Sequence, residues 1–146
     1  MPAMLQALLF TLALAAAQAA PAPMRARLSP VPVDATTQAA ITGLGAVTAT
    51  LNGTTLTLEG TYKGLQTSAT TVKVFESPQR GLRGPLVGQF AVAGGATSGA
   101  FSGTVLLTRE QATAFANGRL YVQIQSEKAP DGNLWGWLLA AKGRRC

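Results

Sequence analysis

The side chains that usually do chemistry are scarce in this chain. Among 146 residues there is no histidine and one cysteine. Zero His removes the commonest general base and the commonest transition-metal ligand together. One Cys, Cys146, excludes an intrachain disulfide and a thiolate cluster. Cys146 sits beside Arg144 and Arg145, which favour its thiolate, but a terminal position suits a free or interchain thiol better than a catalytic one. Serines lack a His partner and a Gly-x-Ser-x-Gly elbow. A Ser126/Lys128 or Ser126/Lys73 dyad is the residual nucleophile candidate, and such pairs arise by chance. Glu127 and Asp131 could imitate a glycosidase couple. Flanking Pro130-Asp131-Gly132, which reads as a turn, they are better explained as exposed turn charges. Gly94-Gly95 reads as a turn and not a phosphate loop. The six carboxylates are scattered from Asp34 to Asp131 without calcium-loop spacing. The expectation is no catalytic residue, no metal and no cofactor: not an enzyme.

Charge adds little chemistry. Twelve Lys and Arg against six Asp and Glu give a net charge of +6. Such a surface could meet an anionic envelope surface or acidic glycans. The cations are scattered and accompany no recognition motif, so no nucleic-acid partner is expected. Their one dense cluster, Lys142, Arg144 and Arg145, reads as a solvated tail over 142–146.

The elements that must position any site are strands. Leu8 to Ala17 is an apolar run followed by Ala17-Gln18-Ala19, a small-x-small cleavage site. It is too short for a membrane span. Residues 1–19 are expected to be a signal peptide, making the protein secreted or periplasmic. Residues 20–37 hold Pro21, Pro23, Pro30 and Pro32 and read as a linker, whose Leu28 to Val33 part can dock on the domain. The domain is expected over 38–141. Strands are predicted at Gly45–Leu51, Thr54–Tyr62, Ala69–Glu76, Leu86–Val92, Ser98–Leu107, Arg119–Ser126 and Asn133–Ala140. Asn52-Gly53 signals a hairpin, and Ser77 to Pro85 a loop. One short helix follows Thr108, with Gln111 completing a capping box and Gly118 the stop. Seven strands and one helix predict an all-β, antiparallel sandwich or barrel.

With the strands placed, the chain resembles the CHRD domain, the module named after chordin, from about Leu28 to Leu139. The resemblance rests on Phe101-Ser102-Gly103-Thr104-Val105-Leu106-Leu107-Thr108-Arg109-Glu110-Gln111 and on Asn117-Gly118-Arg119-Leu120-Tyr121-Val122. Gly64-Leu65 and Gly84-Pro85 match further positions. It implies an immunoglobulin-like β-barrel. It also exposes departures. Histidines of the family fall on Lys73, Phe75 and Gln125, and a family Glu on Asn133. Any metal held by those groups elsewhere is not expected here.

Strand alternation supplies the remaining site candidate. If Val72, Val74, Val122, Ile124, Leu134 and Leu138 point into the core, then Lys73, Phe75, Tyr121, Gln123, Gln125, Trp135 and Trp137 point out together. Flat aromatics beside amides suit a sugar ring or an extracellular protein partner. The competing expectation is that this face is covered by the Pro-rich segment or forms a second core layer. Two functions follow: a secreted, non-enzymatic binding or structural module at the cell envelope, or a carbohydrate- or envelope-polymer-binding protein using the aromatic face.

Overall fold

The computed structural model describes residues 23–33, 35, 38–93 and 95–140. The expected signal peptide, its cleavage site, the basic tail and Cys146 lie outside them. Nine strands and one helix are described: β1 Met24–Pro30, β2 Leu44–Asn52, β3 Thr55–Lys63, β4 Ala69–Glu76, β5 Leu86–Ala91, β6 Gly99–Leu106, α1 Arg109–Ala116, β7 Leu120–Ser126, β8 Ala129–Trp137 and β9 Leu139–Ala140. They hydrogen-bond in the order β5-β4-β7-β8-β1-β2-β3-β6, with β9 on β1. Every pairing is antiparallel. The fold is all-β, a nearly closed barrel with one short helix.

The predicted hairpin forms, with its turn one residue later than Asn52-Gly53: Asn52 pairs with Thr55, and Gly53, at φ +64°, and Thr54 make the turn. β4 has the predicted limits. Alternation works because one face of each strand is withdrawn from water. Val72, Val74, Val122, Ile124, Leu134 and Leu138 are all fully buried, joined from the opposite sheet by Leu28, Ala49, Leu56 and Leu58. α1 is capped as predicted: Thr108 Oγ1 accepts from the Gln111 N–H at 3.1 Å, and the Thr108 N–H donates to Gln111 Oε1 at 2.9 Å. Phe115 buries the helix against the core, and Gly118 ends it at φ +74°.

Between β5 and β6 the barrel closes by packing instead of a ladder. The Phe90 ring lies where a Gly103 side chain would be, 2.6 Å from an ideal Cβ, and Val105 presses on Gly88 in the same way. Two glycines thus let the edge strands approach, which shields edges that would otherwise invite pairing with other chains.

Two expectations are corrected. Part of the 20–37 linker is β1, which pairs with β2 over Met24–Leu28 and with β8 at Ser29 and Pro30, so it bridges both sheets. Ala26 and Leu28 enter the core while Arg25 and Arg27 face out. Its last residue, Pro30, needs no ladder N–H at the strand end. The second correction is at 130–132, which is not the turn. The turn is at Glu127 and Lys128, and Pro130 to Gly132 form an irregular start of β8, where pairing jumps from Ile124↔Leu134 to Ser126↔Ala129. Gly132, at φ +129°, folds this stretch over Gln123; a Cβ there would lie 2.4 Å from Gln123 Nε2.

Candidate functional site

Register brings the predicted outer set together. Phe75 pairs with Tyr121 and Tyr121 with Trp137; one row further, Lys73 pairs with Gln123 and Gln123 with Trp135. Gln125 follows beside Thr71. All seven therefore share the outer face of the β4-β7-β8 sheet. Their exposure is graded. Lys73, Phe75, Trp135 and Trp137 are half-buried, whereas Tyr121, Gln123 and Gln125 are buried. The set does not stand free in solvent as a flat platform. It is a cluster with a closed base and an open top.

The rings make that base. Phe75 stacks on Tyr121 at 5.0 Å between centroids and 15°. Tyr121 meets Trp137 at 4.7 Å and Trp135 edge-on at 5.7 Å. The two indoles meet at 4.8 Å and 66°. Such pairs contribute about 0.5–1.5 kcal/mol each beyond burial, so the indoles are held in place. Two buried donors within this packing have no hydrogen-bond partner among the described residues: Gln123 Nε2 and Trp137 Nε1. An unmade buried bond costs about 1–3 kcal/mol.

Two loops frame the cluster. From 77–85, the Gly84 N–H donates to Tyr121 Oη at 3.2 Å, and the Arg83 guanidinium carbon stands 5.1 Å from the Trp135 ring centroid. Ser77, fully buried, shapes this loop by donating to the carbonyls of Leu82, at 2.7 Å, and Gln79. From 31–43, Val31 and Ile41 pack with Ala129 against Trp135. Val31 of the Pro-rich segment thus meets one end of the face. Arg83 and Ile41 were not singled out from sequence. The prolines and glycines of 77–85 marked the first loop, and the Pro-rich run through Val33 marked the start of the second; nothing local marked Ile41.

Asn133 is fully buried and its amide is committed. Its Oδ1 accepts from Ser126 Oγ and its Nδ2 donates to the Thr42 carbonyl, both at 2.8 Å. That locks the second loop to β7 and β8, and the Ser126 hydroxyl is occupied in doing so. Ser126 is therefore poorly placed to attack a substrate. Glu127 and Asp131 are both exposed. Lys73 and Phe75 offer no lone pair to a metal ion, and Gln125 and Asn133 are uncharged amides, so this set does not fit one. Among the described residues, no group of three His, Cys, Asp or Glu side chains converges.

A family model described as the CHRD domain matches residues 12–138. No curated protein matches the chain, and no solved structure does.

Proposed function

The chain belongs to the CHRD-domain family, and from that premise we propose that it is a secreted or periplasmic, non-enzymatic binding module of the cell envelope. The outer aromatic face of β4, β7 and β8 is its contact surface. One observation carries this reading: four packed rings lie outside a barrel whose interior is already filled. Val72, Val74, Val122, Ile124, Leu134 and Leu138 complete that side of the core. A barrel with such a core has no structural need of two indoles on its outer wall. Their half-exposed edges, with the Lys73 and Arg83 cations beside them, suit a glycan ring or an extracellular protein.

The more specific form of this reading is a carbohydrate- or envelope-polymer-binding protein. Indoles flanked by amides support it, since sugars present both apolar ring faces and hydroxyls. The chain has two tryptophans in all, and both are on this face, so their emission reports on it alone. Titration with soluble peptidoglycan fragments and neutral oligosaccharides should shift and shield that emission. A partner that binds the full chain while leaving emission and acrylamide quenching unchanged would move the site elsewhere.

A further inference from the structure

The β1-β2-β3-β6 sheet continues from the aromatic face across the β8-β1 pairing, but its outer surface is of a different kind. Register sets Arg25, Thr48, Glu59 and Ser102 in one cross-strand row and Arg27, Ala46 and Thr61 in the next. Small side chains in the middle of these rows leave the surface hollow. One depression of about 710 Å³ lies over β2, β3 and β6. Another of about 730 Å³ lies over β1 and β2. They share Ala46 and Thr48 and so run as one trough across four strands, about 15 Å from first to last at the usual strand spacing.

Cations stand on and beside this trough. Arg25 and Arg27 are exposed on one bank, about 6.5–7 Å apart by strand geometry. Lys63 is exposed beside the trough, across from Leu44. None of the three pairs with a described carboxylate; among the described residues the one ion pair is Arg119 with Glu76. Glu59 is the sole acidic group of the lining. It lies two strands from Arg25, on the floor between Thr48 and Ser102. The hydroxyls of Thr48, Thr61 and Ser102 complete a polar floor.

The geometry points to this trough as a binding groove for an extended acidic polysaccharide. Each guanidinium is a fork that takes a carboxylate bidentately, and the floor hydroxyls match sugar hydroxyls. The shape and lining disfavour the other polyanions. Single-stranded nucleic acid wants aromatic stacking platforms, whereas Tyr62 and Phe101 of these strands are turned inward and buried. An anionic bilayer wants a flat or convex surface with apolar side chains to insert, and Leu44 is the one large exposed apolar group bordering the trough. The Arg25/Arg27 bank is on β1, which pairs with β8 at Trp135, so the groove borders the aromatic face along that edge.

The test uses the full mature chain with polygalacturonate as probe at low ionic strength. Arg25→Glu/Arg27→Glu should weaken binding by roughly tenfold or more, because it reverses both carboxylate forks. Arg109→Glu/Lys128→Glu changes net charge equally on α1 and the 127–128 turn, and should keep affinity within roughly threefold. Both arginines are exposed, so melting should be unchanged; Arg25→Gln/Arg27→Gln serves if charge reversal disturbs β1. Equal losses in the two reversals would reduce the effect to net charge and overturn the assignment. So would unweakened binding by either arginine variant, or tighter binding to phosphatidylglycerol vesicles or to a single-stranded oligonucleotide.

Discussion

Asn133→Asp exchanges one amide nitrogen for an oxygen at nearly constant shape, which isolates the polar logic of the buried face. Asn133 Nδ2 donates to the Thr42 carbonyl, and Oδ1 accepts from Ser126. With an ionised carboxylate, the Ser126 bond survives but an oxygen faces the Thr42 carbonyl. The lost bond and the stranded acceptor cost about 1–3 kcal/mol. Burying an unpaired charge adds several more, so about 3–5 kcal/mol is expected at neutral pH. The sign of the pH dependence follows. Burial raises the folded-state pKa of the introduced carboxyl above its unfolded value of about 3.9. The native state then binds more protons than the unfolded state, and stability falls as pH rises through that window. Below pH ~4 the protonated carboxyl can donate to Thr42, and most of the loss should be recovered. Urea denaturation at pH 7 and pH 4, each against the unmodified protein, measures this. A loss under ~1 kcal/mol at pH 7, or one independent of pH, would refute the reasoning.

Other expectations follow from single contacts. Gly103→Ala places a methyl 2.6 Å from the Phe90 ring; overpacking should cost about 1–3 kcal/mol in chemical denaturation. Thr108→Ala removes the helix cap bonded to the Gln111 N–H and should cost about 1 kcal/mol, read as a lower denaturation midpoint at unchanged slope. Since Lys73, Phe75, Gln125 and Asn133 do not fit a metal ion, a chelator should leave the thermal midpoint in place; a stoichiometric zinc or copper ion in the purified protein would contradict this.

Much of the fold was legible because it is written locally. The cap at Thr108, the hairpin signalled by Asn52-Gly53 and the alternation in β4 and β7 each need only a few consecutive residues. β1 was hidden because it offers two inward apolar residues, Ala26 and Leu28, among prolines. Its stability comes from β2 and β8, neighbours that no local pattern announces. The irregular start of β8 was missed for a related reason. Pro130-Asp131-Gly132 has turn chemistry, but tertiary packing over Gln123 uses Gly132 for a close approach. The site was half legible. Period two placed seven side chains on one face, and register brought them together. How far they are covered depends on Val31, Ile41 and Arg83, which reach the face from loops.

The central claim is that the half-buried indoles serve binding more than folding. The direct measurement pairs stability with affinity in Trp135→Ala. Trp135 is half-buried, so its truncation should cost clearly less than the ~3–5 kcal/mol of a buried Trp. Affinity for the envelope glycan or protein that shields the indoles should fall by ~2 kcal/mol or more, as for an anchoring aromatic. A variant that loses the full core-like stability and binds as before would make this face a second core and contradict the account.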